Sequence, residues 1–111
     1  MGRRPMTMVV DINHWLTEGG EIPLKPAQLR TNALRVVAFI EAGGPLDVGF
    51  TRETVTPCKT RGCPGLMWVA KVSADRLEAF CRGCEAIVVV TGWEHTLWAE
   101  GPMEPMPLNP S

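Results

Sequence analysis

Between residues 26 and 42 the apolar positions recur at helical spacing. Leu29, Ala33, Val36, Val37 and Ile40 stand at i, i+4, i+7, i+8 and i+11, which places them on one face of a helix. Gln28, Arg35 and Glu41 fall largely elsewhere, while Leu34 and Phe39 widen the apolar surface. The helix is therefore expected to touch more than one element. Pro26 suits the first helical position, where its missing N–H costs nothing, and Gly43-Gly44-Pro45 ends the run. A shorter helix is predicted from Asp11 to Leu16. Asp11 caps its first turn, Gly19-Gly20 stops it, and Pro23 prevents its resumption.

The second half changes period. Phe50 to Thr56 is rich in Thr and Val and reads as a strand. Leu66 to Ser73 and Arg76 to Cys81 read as a hairpin turning at Ala74-Asp75. The expected register sets Val72 opposite Leu77, Lys71 opposite Glu78 and Val69 opposite Phe80. Leu66, Trp68, Ala70 and Val72 would then share one apolar face with Leu77, Ala79 and Cys81. Ala86 to Trp93 forms a third strand, and its unbroken Ile87-Val88-Val89-Val90 run implies cover on both sides.

Composition adds limits. With 111 residues the chain has the length of one domain, and its 45% hydrophobic and 21% charged residues suit a globular protein. No apolar run approaches the roughly 18 residues that cross a bilayer, so no membrane role is expected. Met8, Val9 and Val10 are followed at once by Asp11, so no secretory leader is read there. Met6 stands where a myristoylation motif needs Ser or Thr. Cytoplasmic localisation follows as an expectation. Gly101 to Ser111 contains Pro102, Pro105, Pro107 and Pro110 and is expected to be a flexible tail (101–111) beyond a single domain (1–100).

The chemistry lies in four cysteines. Cys58, Cys63, Cys81 and Cys84 spell C-x4-C and C-x2-C across a seventeen-residue spacer. Two close pairs suit a four-thiolate tetrahedral zinc site, in which tight turns aim the sulfurs at one centre. Gly62, Pro64-Gly65 and Gly83 supply the turn chemistry. Two disulfides would need a secreted context, and four thiolates also suit iron in a rubredoxin-like site. Zinc is the expected cofactor, and it is expected to be structural because four cysteines leave no open position. His14 and His95 are the only histidines; His95 lies close enough after Cys84 to approach the site but is read as a packing or surface residue, and no motif places either as a ligand.

Residues 58 to about 91 resemble a zinc ribbon, with two cysteine turns flanking a hairpin and a third strand after the second turn. Cys81-Arg82-Gly83-Cys84 fits the usual second turn. The first turn, Cys58 to Cys63, is two residues longer than the commonest form, and Glu85 replaces a frequent glycine. Residues 1–57 carry no such resemblance. The fold expected is α+β, with N-terminal helices (11–45) packed on a three- or four-stranded antiparallel zinc-ribbon sheet (50–93).

Function is less determined, since zinc ribbons serve many processes. No phosphate-binding loop, serine nucleophile or paired acid/base carboxylates are present, so no catalytic residue and no enzyme is expected. The net charge of −1 lacks the excess of a duplex-DNA binder. A protein partner is expected for an interaction or adaptor module. The alternative is a nucleic-acid-binding regulator using Lys59, Arg61 and Arg82 in the cysteine turns, although these bases also offset the charge of a zinc–thiolate centre. Trp68, Phe80, Trp93 and Trp98 are expected to pack against the helix rather than stack on bases.

Overall fold

A computed structural model describes residues 7–101. Its elements are strand β1 (Thr7–Asp11), a 3-10 turn (Ile12–His14), helix α1 (Ala27–Gly43), and strands β2 (Thr51–Pro57), β3 (Leu66–Ser73), β4 (Arg76–Cys81) and β5 (Ile87–Thr91). The strands form one sheet in the order β1-β5-β4-β3-β2. No helix among the described residues is long and apolar enough to cross a membrane. The proline-rich segment 102–111 lies outside the described residues.

The α+β class holds, but the sheet differs from expectation. It has five strands and is mixed rather than being a three- or four-stranded antiparallel sheet, because β1 pairs in parallel with β5. The N-terminal part supplies one α-helix and a 3-10 turn, not several helices. The three apolar residues before Asp11 are a strand whose partners Val88, Val89 and Val90 are far along the chain. Val10 enters the core, while Val9 on the opposite face stays 69% exposed. Asp11 caps as its sequence position implies, accepting from the Asn13 amide at 3.0 Å. Asn13 Nδ2 also donates to the Gly92 carbonyl at 2.8 Å, tying this turn to the end of β5.

Helix α1 buries Ala33, Val36, Val37, Phe39 and Ile40; Leu29 is half-buried and Leu34 is exposed. Pro26 is the residue before the helix rather than its first helical position. Val36, Val37 and Ile40 pack with Val10, Val69, Leu77, Val90, Trp93 and Trp98. Phe39 instead joins Met67, Ala79 and Cys81 at the cysteine end. Each such side chain removed from water contributes roughly 1.5–3 kcal/mol. One helix thus supports both the main core and the wall behind the sulfurs.

The β3–β4 register is displaced by one residue from the expected pairing. Lys71 stands opposite Leu77, Ala70 opposite Glu78, Val69 opposite Ala79 and Trp68 opposite Phe80. The turn-proximal pair Ser73–Arg76 does fit the expected register, and the ladder shifts between Lys71 and Ser73. An extra residue in one strand reverses every side chain beyond it. Met67 and Val69 therefore face the helix with Leu77, Ala79 and Cys81, while Leu66 and Val72 are exposed. The Lys71–Glu78 pair does not form; Arg76 approaches Glu78 at 3.7 Å instead. Lys71 Nζ donates to the Gly44 carbonyl at 2.7 Å and sits 5.1 Å from the Trp93 ring centroid. A cation there complements the negative end of the helix.

Candidate metal centre

The four cysteines come from two turns at one end of the sheet. Cys58 follows the last residue of β2, and Cys63 lies in the loop leading into β3. Cys81 ends β4, and Cys84 lies in the loop leading into β5. Their four sulfurs lie within 4.8 Å of one another. The closest approaches are 3.5 Å for Cys58–Cys84 and 3.6 Å for Cys63–Cys81. These exceed a disulfide bond of about 2.05 Å. They approach the spacing of about 3.8 Å between sulfurs placed tetrahedrally about 2.3 Å from one ion. Cys81 is buried and the other three are half-buried.

Local backbone chemistry explains the convergence. The Cys63 amide donates to the Thr60 carbonyl at 2.9 Å, folding the first turn, and the Cys58 amide donates to the Gly65 carbonyl at 2.9 Å, closing it. Gly62 takes φ +81°, a left-handed conformation that side chains disfavour. At Gly65 the constraint is space: a Cβ would lie 2.9 Å from Cys81 Sγ and 3.5 Å from Cys63 Sγ. In the second turn the Cys81 amide donates to the Ala86 carbonyl at 3.2 Å. Thr60 N points to Cys58 Sγ at 3.4 Å and Gly83 N to Cys81 Sγ at 3.3 Å. Both turns thus aim the amide two residues on at the first sulfur, despite the longer first spacing.

The sulfurs are electrostatically unequal. The Thr60 hydroxyl, 3.4 Å from Cys84 Sγ, and the Ala86 amide outweigh burial and lower the Cys84 thiol to about 6. At Cys63 the Gly65 amide is the largest influence and acts downward. The Cys81 thiol, burial, and the Cys58 and Cys84 thiols together outweigh it and push Cys63 up to about 11. Crowded thiolates repel, and a dication at their centre removes that conflict while binding all four. The donor set and spacing fit a zinc ion.

Neither histidine joins the cluster. His14 is exposed beside Asp11, and His95 is exposed after β5. Among the described residues the candidate ligands grouped with these sulfurs are the four cysteines alone. The turn cations are spread: Lys59 Nζ reaches Asn32 Oδ1 at 3.2 Å, Arg61 is exposed, and Arg82 lies 3.7 Å from the Trp68 ring centroid. Sequence reasoning missed two contributors. Thr60 was signalled only by its place between the first two cysteines. Arg35 comes from α1, donates to the Pro57 carbonyl at 2.7 Å and lies 5.3 Å from the Phe39 ring centroid. Burial lowers its pKa, while the charge of Cys58 raises it.

The aromatic residues divide between the two sheet faces. Trp93 and Trp98 are buried against α1, as expected. Trp68 and Phe80 are half-buried and paired on the opposite face of the sheet.

The cluster therefore stands on its own geometry: comparison with family models, curated proteins and solved structures finds no match.

Proposed function

We propose that the chain binds one structural zinc ion through Cys58, Cys63, Cys81 and Cys84 and acts as a zinc-ribbon interaction module for a protein partner. The observation that carries this reading is the convergence of four sulfurs within 4.8 Å. The β3–β4 hairpin between the two turns and the return of the chain as β5 support the ribbon assignment. When bound, zinc neutralises thiolate charge and cross-links the two turns. Four thiolates complete a tetrahedral shell, so in this reading the metal has no site for substrate and does no catalysis. Free thiols suit a reducing compartment, the cytoplasm in this reading.

A protein partner is favoured by β2, which is an edge strand among the described residues. Val55 on that strand is 92% exposed and neighbouring Phe50 is 61% exposed. An edge with apolar side chains suits addition of a partner strand. The test combines elemental analysis with binding of labelled duplex and single-stranded DNA and RNA at two salt concentrations. The reading expects about one zinc per chain and negligible nucleic-acid binding. Tight, salt-sensitive binding would favour a regulator working through Lys59, Arg61 and Arg82.

A further inference from the structure

Beside the metal centre, α1 and the β1–β5 end of the sheet enclose a cleft of about 470 Å³. That volume lies within the range of small-molecule sites. Its walls are mainly apolar: Met8, Trp15, Val36, Phe39, Met67 and Val88. At the end nearest the first cysteine turn stand two cations, Arg35 from the helix and Lys59 from the turn. No acidic residue lines the cleft among the described residues.

We propose that this cleft binds a small amphipathic carboxylate, with its apolar body between α1 and β5 and its carboxylate at Arg35 and Lys59. Arg35 is half-buried, and its described hydrogen bond goes to the Pro57 carbonyl, which leaves further guanidinium N–H groups. Neither ion pair among the described residues involves Arg35 or Lys59. Lys59 touches only the neutral amide oxygen of Asn32 in the described contacts. A partly desolvated guanidinium favours an anion, and its planar fork matches a carboxylate.

The competing account is that Arg35 only answers the charge of the thiol cluster, through its bond to the Pro57 carbonyl beside Cys58. In that case the cleft would take neutral and anionic bodies alike. Lys59 and Thr60 belong to the first cysteine turn, so the cleft rests in part on the zinc reading. Zinc content is therefore measured on every sample, which separates failure of this proposal from failure of that one.

The test uses the full chain loaded with zinc, decanoate as the probe and decanol as its neutral counterpart. Binding is followed by calorimetry and by NMR shifts of Trp15, Phe39 and Val88. Saturable one-to-one decanoate binding is expected, with decanol at least tenfold weaker. Arg35→Gln should weaken decanoate tenfold or more while leaving decanol binding unchanged. Lys59→Gln, at an exposed site, should weaken decanoate severalfold even if the Arg35 variant fails to fold. Val88→Trp should fill the cleft and abolish both. No saturable shifts at millimolar decanoate, equal affinity for decanol, or tighter binding of decyl phosphate would each overturn the proposal.

Discussion

Replacing Gly65 with alanine probes the sulfur cluster with a single methyl group. The added Cβ would stand 2.9 Å from Cys81 Sγ, where nonbonded contacts need about 3.5–4.0 Å. Cys81 sits at the end of β4 and is buried against Phe39, Met67 and Ala79, so its sulfur has little room to retreat. A displacement of about 0.6 Å is large beside the roughly 0.2 Å tolerance of a metal–ligand distance. Changes around metal ligands cost about 10–100-fold in affinity, or about 1.4–2.8 kcal/mol. Gly83→Ala is the matched control. Its Cβ would meet Cys63 and Cys81 sulfurs at 3.5 and 3.7 Å, ordinary contact distances, and a clearly smaller loss is expected. Zinc affinity is measured by competition with a chromophoric chelator, with circular dichroism confirming that both variants fold. Equal affinity for Gly65→Ala and the parent, or a larger loss for Gly83→Ala, would refute the sulfur placement.

Cys81→Ser should lose zinc and unfold the turns and β3–β4 hairpin, since structural zinc contributes on the order of 10 kcal/mol. Calorimetry and zinc content check this, and a variant with parental stability and metal would count against it. Thr60→Val removes the leading cause of the low Cys84 pKa of about 6. The thiolate is the form that binds zinc, so a pKa raised toward the ordinary thiol range lets protons compete. Zinc affinity measured against pH should therefore fall more near pH 6.5 than near pH 9. Val69→Ala should cost roughly 2 kcal/mol in denaturant unfolding and Val72→Ala under about 0.5 kcal/mol. The reverse order would reinstate the register with Val72 inside. Lys71→Met loses the bond to the Gly44 carbonyl and should cost about 1–2 kcal/mol, seen as a lower Tm.

The elements easiest to read from sequence carried a local period or a local stop. Helix α1 announced itself through Ala33, Val36, Val37 and Ile40 and ended at the expected glycines. The hairpin strands also matched, from Leu66 to Ser73 and from Arg76 to Cys81. Its register could not be read, because Leu66 to Ala70 are apolar at every position and suit either face. The shift between Lys71 and Ser73 then decided the matter. Strand β1 was hidden for another reason. Three apolar residues have too little pattern of their own, and parallel pairing with β5 leaves no turn signature between them.

The cysteine spacing located the sulfurs because paired turns have a short, regular geometry. Arg35 was not legible, since a polar residue on a helix gives no sign of which loop it will meet. The same holds for Lys71, whose place under the helix end depends on the shifted register. Contacts set by tertiary packing, rather than by spacing along the chain, account for most of what the sequence left open.

The central claim is a single zinc ion held by four thiolates. It is tested most directly by zinc K-edge X-ray absorption on the full chain, purified without added metal and quantified by elemental analysis. The account expects about one zinc per chain with four sulfur scatterers at about 2.3 Å. A zinc-bound oxygen or nitrogen, iron in place of zinc, or disulfides among Cys58, Cys63, Cys81 and Cys84 would contradict it.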